Sequence, residues 1–138
     1  MRRRVERSDD EWRALLTPEQ YRVTRQGGTE APFSGQYWRT LDSGSYRCVC
    51  CGELLFTSSM KFASSCGWPS FDREVDTKPI ERRRDLSHGM IRTEVLCGSC
   101  GAHLGHVFDD GPTATGERYC INSAAIVLEA SNAEDADH

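Results

Sequence analysis

The chain has 138 residues, of which 38% are hydrophobic and 28% charged, so it has room for one globular domain but not for two. Its net charge of −4 disfavours a nucleic-acid partner, and it lacks the run of roughly 20 apolar residues that a membrane helix needs. Since no apolar secretory signal follows the first residues, we expect a cytoplasmic protein. In that compartment seven cysteines indicate metal ligands or redox chemistry rather than a disulfide framework.

Two short helices are predicted near the N-terminal end. Ser8–Glu11 and Thr17–Gln20 both match a capping box, in which two side chains three residues apart bond each other's backbone N–H groups. Pro18 occupies the first helical position of the second helix, where its missing N–H costs nothing. We expect three side chains of these helices to pack inward: Trp12, Leu15 and Tyr21.

Beyond residue 36 the pattern becomes that of β-strands, with β-branched and aromatic residues separated by Gly, Asp and Ser. Tyr37–Leu41 and Ser45–Val49 flank an Asp-Ser-Gly turn and are predicted to pair as a hairpin. Two further strand regions are predicted at residues 89–96 and 118–128. The fold class is therefore mainly β, an antiparallel domain with short N-terminal helices.

The two ends of the chain are predicted to lie outside this domain. Residues 1–8 begin with a basic run, and residues 129–138 are mostly Ala, Asn, Asp and Glu without an apolar pattern. Segments that cannot bury apolar surface remain disordered. We expect a single domain over residues 9–128, with a disordered basic start and a disordered acidic tail.

Two C-x-x-C-G motifs, at residues 48–52 and 97–101, are the strongest chemical signal in the sequence. Each predicts a tight turn that presents two thiolates, with a glycine that permits a left-handed backbone conformation. Four thiolates form the ligand set of a closed tetrahedral zinc site. We predict one structural Zn²⁺ ion held by four cysteines: Cys48, Cys51, Cys97 and Cys100.

Other interpretations of these cysteines remain open from the sequence. The two pairs could be redox-active, or they could be buried thiols without a metal. A Cys₂His₂ site could combine Cys97 and Cys100 with His103 and His106, but it would leave the first pair without a role. Because a closed four-cysteine site has no position for substrate, any chemistry must come from elsewhere in the chain. Cys50, inside the first motif, has no predicted role.

Cys120 is the candidate nucleophile. Strand alternation places it on one polar face with Arg118 and Asn122, and a neighbouring guanidinium favours the reactive thiolate. His103 and His106 could donate a proton or orient water near this thiol. A single cysteine in a strand is usually a small buried hydrophobe, however, and spacing alone does not show that these residues meet.

Cys66 is the second candidate redox cysteine, in a loop rich in Gly, Trp and Pro. A second free thiol in such a loop is what a resolving cysteine requires, because a sulfenic acid on one cysteine condenses with another thiol to a disulfide. Trp68 places an aromatic ring beside this thiol, although ordinary core packing is the commoner role of a tryptophan.

Together these motifs resemble those of the B-type peptide-methionine sulfoxide reductases, which act on the R epimer of methionine sulfoxide. The resemblance covers residues 17 to 128 and follows the family's order of motifs: Gly28–Phe33, both C-x-x-C-G turns, Gly67–Phe71, His103–Pro112 and Arg118–Ser123. Ser65 departs from the family pattern, which commonly has Gly before the resolving cysteine. The resemblance implies two antiparallel sheets in a compact β domain, with the metal turns away from the reacting centre.

The resemblance also implies a reaction and residue roles. Cys120 would attack the sulfoxide sulfur, Cys66 would form a disulfide with it, and thioredoxin would reduce that disulfide. The other implied site residues are Trp68 and Phe108 for the substrate methyl group, His103, His106 and Asn122 for the sulfoxide oxygen, and Asp110 and Arg118 as supporting groups. Of the two histidines we predict that His106 supplies the proton. The expected protein is a monomer that repairs oxidised methionine, free or in proteins.

Two other functions are weighed against this one. A zinc-stabilised module that binds protein or RNA would use the cysteines only for folding, which leaves the polar face around Cys120 without a role. The isoelectric point near 5.6 also disfavours RNA. A general thiol–disulfide exchanger would use a C-x-x-C pair, but both pairs are better explained as zinc ligands.

Overall fold

A computed structural model describes residues 5–40 and 42–130. Within these residues the helices are α1 (Asp9–Leu15) and α2 (Pro18–Arg25). The strands follow in chain order: β1 (Gly44–Cys48), β2 (Leu54–Thr57), β3 (Lys61–Phe62), β4 (Ser70–Phe71), β5 (Ile80–Asp85), β6 (Arg92–Cys97), β7 (His103–Phe108), β8 (Arg118–Ile121) and β9 (Ile126–Ala130). Three 3₁₀ turns separate some of them: Ser58–Met60, Ser87–Gly89 and Ser123–Ala125. No helix in the described ranges is both long and apolar enough to cross a membrane.

The predicted N-terminal helices are confirmed, and both capping boxes form. Trp12 is buried and Tyr21 packs against the core, as expected. The prediction for Leu15 is wrong, since this side chain is 58% exposed. Leu16, one full turn after Trp12, packs against the core instead, together with the fully buried Val23 of α2.

The three-stranded sheet has the order β2-β1-β9 and is antiparallel. The strand predicted at Ser45–Val49 is confirmed as β1, but the predicted hairpin with Tyr37–Leu41 is wrong. Residues 37–39 form turns, and Leu41 lies outside the described residues. The backbone N–H of Tyr37 donates to Ser123 Oγ and its hydroxyl accepts the N–H of Leu128, so this segment is fixed beside β9. The partner of β1 is β2, joined to it through the first cysteine turn.

The six-stranded sheet has the order β3-β4-β8-β7-β6-β5 and is also antiparallel. The strand predicted at residues 89–96 is present from Arg92 as β6. The region predicted at 118–128 contains two strands, β8 and β9, which belong to different sheets. Aromatic side chains join the sheets: Phe56 of β2 stacks on Phe71 of β4 at 4.1 Å between ring centroids, and Tyr46 of β1 packs edge-on against the same ring at 5.1 Å.

Order extends slightly beyond the predicted domain ends. Val5 donates its backbone N–H to the carbonyl of Ser99 at 2.8 Å, and Ser8 caps α1. At the other end β9 continues through Glu129 to Ala130. The predicted disorder of residues 1–4 and 131–138 falls outside the described part of the chain.

Candidate active site and metal centre

The two C-x-x-C-G motifs fold into the same turn. In the first, the N–H of Gly52 donates to the carbonyl of Cys48 at 2.9 Å, and in the second the N–H of Gly101 donates to Cys97 at 2.7 Å. Both glycines have φ of +80°, a left-handed conformation that a side chain would strain. The repeated sequence motif therefore encodes a repeated backbone structure.

The sulfur atoms of the four predicted ligands form one cluster, in which all Sγ atoms lie within 4.8 Å of one another. Cys48 Sγ is 3.7 Å from Cys100 Sγ, and Cys51 Sγ is 3.6 Å from Cys97 Sγ. Thiolates bound tetrahedrally at the zinc–sulfur distance are separated by roughly 3.8 Å, so the donor set and its spacing fit zinc. Neither histidine of the alternative Cys₂His₂ site belongs to this cluster.

The N-terminal segment contacts the backbone of the second cysteine turn, next to the four-cysteine cluster. Arg25 of α2 donates to the carbonyl of Cys100 at 2.8 Å, and its guanidinium lies 4.4 Å from the ring centroid of Trp12. Val5 binds the backbone of Ser99 in the same turn. Cys50 is half-buried and is not one of the four clustered thiols. The helices predicted from capping signals thus close one side of the centre.

A row of side chains crosses one face of the six-stranded sheet. Directly opposite positions on β5, β6, β7, β8 and β4 are occupied in turn by Arg83, Glu94, His106, Cys120 and Ser70. Opposite residues of antiparallel strands carry their side chains on the same face, with Cβ atoms roughly 5 Å apart. The predicted nucleophile, Cys120, therefore lies between His106 and Ser70.

A β-bulge brings His103 onto this face as well. Residues three apart in a regular strand point to opposite faces, which would separate His103 from His106. In β7, however, Gly105 lies opposite Val95 while His103 lies opposite Leu96, so β7 has one extra residue here. The two imidazole rings consequently lie 5.6 Å apart. The extra residue, Leu104, puts both histidines on the same face of the sheet.

Each histidine contacts a carboxylate that the sequence analysis did not identify. His103 Nδ1 lies 2.6 Å from Glu94 Oε2, and His106 Nε2 lies 2.8 Å from Asp85 Oδ2. Asp85 also binds the guanidinium of Arg92 at 3.2 Å. Hydrogen bonds from Ser87, and then from His106, hold the pKa of Asp85 well below its usual range. These acids belong to no motif, and only strand pairing reveals them.

The two histidines differ in their remaining freedom to react. Burial lowers the pKa of His106, an effect that its bond to Asp85 opposes only in part. His106 Nε2 is already engaged by that carboxylate. His103 is 6% exposed, and its Nε2 is buried without a hydrogen-bond partner among the described residues. His103 therefore has a ring oriented by Glu94, and its second nitrogen is buried without a described partner.

Cys66 and Cys120 meet across the edge of this site, with their Sγ atoms 4.0 Å apart. Burial opposes ionisation of Cys66, but hydrogen bonds with Ser64 and Ser70 outweigh it, so the pKa of Cys66 lies below its ordinary value. A disulfide requires the two sulfurs to approach by roughly 2 Å, which a loop cysteine can accomplish. The pair is thus placed for disulfide exchange.

The thiol of Cys120 is held in its protonated form. Burial, followed by the adjacent Cys66, raises the pKa of Cys120 to about 12. Arg118 lowers this pKa, as the sequence suggests, but does not offset burial. Its guanidinium binds Asp110 through two hydrogen bonds of 2.9 and 3.2 Å, and this partner neutralises much of its charge. The thiol next to this arginine is therefore not ionised at rest.

The remaining predicted residues surround the cysteine pair. The guanidinium of Arg118 lies over the ring of Phe108, 4.7 Å from the centroid of that ring. The ring centroids of Phe108 and His106 are 6.4 Å apart. Trp68 is half-buried beside Cys66 and donates its indole N–H to the carbonyl of Glu30 at 3.1 Å. Asn122 is buried at the end of β8.

The amide of Asn122 is held by backbone on both sides. Its Nδ2 donates to the carbonyl of Leu104 at 3.1 Å, and its Oδ1 accepts the N–H of Glu30 at 3.0 Å. The side chain therefore ties β7 to the loop before β1. Glu30 is a further residue whose contacts the sequence analysis did not predict.

Comparisons with known proteins agree with this geometry. The SelR domain family matches residues 16–130. The peptide methionine sulfoxide reductase MsrB of Hahella chejuensis is 56% identical over 131 residues, which are 95% of this chain and 94% of that protein. The enzyme of the same name from Acinetobacter baylyi is 52% identical over 134 residues, covering 97% of this chain and 96% of that protein. The matched region contains both cysteine turns and the whole candidate site.

Proposed function

Because the chain belongs to the SelR-domain family of B-type peptide-methionine sulfoxide reductases, we propose that it reduces methionine-R-sulfoxide to methionine by a two-cysteine mechanism. The observation that carries the proposal is the pair of thiols 4.0 Å apart, Cys66 in a loop and Cys120 on the sheet face that also holds two carboxylate-bound histidines. A nucleophile, a resolving thiol and an oriented proton-transfer group are the parts that sulfoxide reduction requires.

In the first step, Cys120 attacks the sulfoxide sulfur. The attack forms an S–S bond between Cys120 and the substrate while the sulfoxide oxygen takes up a proton. The hydroxyl group then moves to the sulfur of Cys120 as the S–S bond and the S–O bond of the substrate break, and methionine leaves. The thiol proton ends on the transferred oxygen, so Cys120 becomes a sulfenic acid while the substrate sulfur gains two electrons. A resting thiol is compatible with this step, because Cys120, whose pKa burial raises to about 12, still carries the proton that the oxygen requires.

We propose that His103, rather than His106, moves this proton. With its Nδ1–H donated to Glu94, His103 has Nε2 left to accept the proton of Cys120 and deliver it to the sulfoxide oxygen. The carboxylate of Glu94 stabilises the transient imidazolium. His106 instead uses Nε2 to bind Asp85, and burial disfavours its charged form.

In the second step, the thiolate of Cys66 attacks the sulfenic acid of Cys120. A Cys66–Cys120 disulfide forms and the hydroxyl group leaves as water, with a proton taken from the site. The lowered pKa of Cys66 increases the thiolate fraction that drives this step. Thioredoxin, a dithiol reductant, then reduces the disulfide by exchange and restores both thiols.

The other residues bind the substrate. Trp68 and Phe108 provide apolar surface for the methyl group on sulfur. Asn122 contributes an amide to the polar side of the pocket. Arg118, fixed by Asp110, supports the position of Phe108 and partly offsets the cost of charge on Cys120.

We propose that the four-cysteine cluster binds one structural Zn²⁺ ion. The ion would satisfy all four thiolates and so would leave no position for substrate. Its contribution is to join the turn between β1 and β2 to the turn between β6 and β7, which links the two sheets at one end. The chemistry then belongs entirely to the other cysteines.

The decisive measurement is turnover of the two separated epimers of methionine sulfoxide with thioredoxin as the reductant. The R epimer should be reduced, the S epimer should not, and Cys120→Ser should abolish the activity. Turnover by Cys120→Ser would refute the mechanism. A general thiol–disulfide exchanger is distinguished by mass spectrometry after mild peroxide, which should produce one Cys66–Cys120 bridge with zinc retained, and no bridge within a C-x-x-C pair.

A further inference from the structure

Glu30 is a buried acidic residue to which the mechanism assigns no role. It is 3% exposed and belongs to the segment Gly28–Phe33, far from the cysteines in sequence. Its backbone contacts two residues of the proposed substrate pocket: its N–H donates to Asn122 Oδ1 at 3.0 Å, and its carbonyl accepts the indole N–H of Trp68 at 3.1 Å. One peptide segment therefore orients the polar and the apolar wall together.

The carboxylate of Glu30 fixes that segment. Oε1 accepts the backbone N–H of Ala124 at 2.8 Å, in the 3₁₀ turn directly after the strand of Cys120. Oε2 is buried and lacks a hydrogen-bond partner within the described part of the chain. A Cβ atom on Gly35 would lie 2.4 Å from Oε2 and 2.4 Å from Ser123 Oγ, so the loop has room for this carboxylate only because residue 35 is glycine.

Burial of a carboxylate costs free energy that a single hydrogen bond and a close fit only partly return. If packing were the only role of residue 30, an apolar side chain would stabilise the fold more. We propose that Glu30 is a positioning residue for the sulfoxide pocket: the reach of its side chain to Ala124 sets its backbone, and its backbone holds Trp68 and Asn122. This inference rests on the proposed function of that pocket.

Two substitutions separate reach from charge. Glu30→Gln keeps the length of the side chain and its acceptor for the N–H of Ala124, but it removes the charge. Glu30→Asp keeps the charge but withdraws the carboxylate by one methylene. If reach is what matters, Glu30→Gln should behave like the wild type and Glu30→Asp should not.

Glu74 offers a matched control. It is also buried, at 7% exposure, and its carboxylate also accepts a backbone N–H, that of Ile80 at 3.1 Å. Its other recorded partner among the described residues is the hydroxyl of Tyr119, on the face of β8 opposite Cys120. Glu74→Gln and Glu74→Asp therefore change a comparable buried acid without touching the pocket walls.

The first readout is the indole ¹H–¹⁵N resonance of Trp68, assigned by its loss in Trp68→Phe. Glu30→Asp should shift it upfield and increase its exchange with solvent, because its hydrogen bond weakens, while Glu30→Gln and both Glu74 variants should leave it unchanged. The second readout is kinetic. Glu30→Asp should raise KM for the R sulfoxide about fivefold, the loss of roughly one hydrogen bond, with kcat within about twofold of the wild type.

The proposal is overturned if Glu30→Asp leaves the Trp68 resonance and KM unchanged, or if the Glu74 variants alter them equally. Should Glu30→Asp fail to fold, Gly35→Ala decides, because its added methyl displaces the same carboxylate and should produce the same two changes. The resonance does not depend on turnover. A wild-type protein that fails to reduce the R sulfoxide would therefore refute the proposed function while the resonance still tests the role of Glu30.

Discussion

The two groups of cysteines in this protein are built in opposite ways. The metal cluster combines two copies of one local turn, each with its cysteines three residues apart and a left-handed glycine behind them. The redox pair joins a loop residue to a strand residue 54 positions later, and its surroundings come from five strands and several loops. Similar thiols thus acquire different chemistry from their neighbours.

This difference also separates stability from catalysis. A thiol in the four-cysteine cluster lies close to the other three thiols, an arrangement that suits a shared metal ion. Cys66 instead interacts with hydroxyl groups and with Cys120, which favour exchange chemistry. Removal of a cysteine from the four-cysteine cluster should therefore unfold the protein. Removal of Cys66 or Cys120 should only stop a chemical step.

The largest effect is expected for Cys97→Ser. Structural zinc sites contribute on the order of 10 kcal/mol of binding free energy, which is comparable to the whole stability of a small domain. The variant should lose its metal and its cooperative thermal unfolding, measured by elemental analysis and calorimetry. Cys50→Ser, a change in the same turn outside the cluster, is the control and should retain zinc and the wild-type unfolding temperature. A folded, active and metal-free Cys97→Ser would contradict the comparison.

The next effect is expected for Cys66→Ser. With no resolving thiol, Cys120 should stop as the sulfenic acid, so turnover with thioredoxin is lost while each enzyme molecule still releases about one methionine. Rapid-quench measurement of methionine per enzyme checks this, and calorimetry should show a folded protein with zinc. A Cys66→Ser enzyme that sustains turnover with thioredoxin would show that another thiol resolves the intermediate.

A smaller effect distinguishes the two histidines. His103→Gln should lower kcat about 100-fold, within the range of a lost proton-transfer group, because it removes the nitrogen that we propose to move the proton. His106→Gln should lower it only about tenfold, since its amide can still bind Asp85. The reverse order, measured by single-turnover kinetics at saturating R sulfoxide, would return the proton-transfer role to His106.

Local features of this fold follow from the sequence. The capping boxes position both helices, and the C-x-x-C-G motifs identify the four cysteines that cluster, because each motif shapes the backbone within one turn. The resemblance to a known family supplies the identities of the redox cysteines. The position of each residue in the three-dimensional site cannot be predicted from local sequence in the same way.

The errors and omissions have a common physical cause, which is long-range contact. The segment that begins at Tyr37 has the composition of a strand, but hydrogen bonds of Tyr37 with Ser123 and Leu128 hold it in a turn. At the end of α1, the side chain of Leu16 packs against the core, whereas that of Leu15 is exposed. Asp85 and Glu94 become partners of the histidines only through strand pairing and a bulge that no local pattern announces.

The smallest effect concerns the reactivity of the two redox thiols, which tests how burial competes with charge. Because the pKa of Cys66 is lowered and that of Cys120 is raised to about 12, Cys66 has the larger thiolate fraction at every pH below that value. Iodoacetamide at pH 8 should therefore modify Cys66 at least about ten times faster than Cys120, as measured by peptide mass spectrometry of the reduced, zinc-loaded protein.

The pH dependence of Cys120 makes this test decisive. Its alkylation rate should increase about tenfold per pH unit through pH 10 without a plateau, because the thiolate remains a minor species below its pKa of about 12. Arg118→Met should slow the reaction further, since the guanidinium is the group that lowers this pKa. A plateau near neutral pH in the wild type, lost in Arg118→Met, would mean that the charge of Arg118 outweighs burial and that the attacking species is a preformed thiolate.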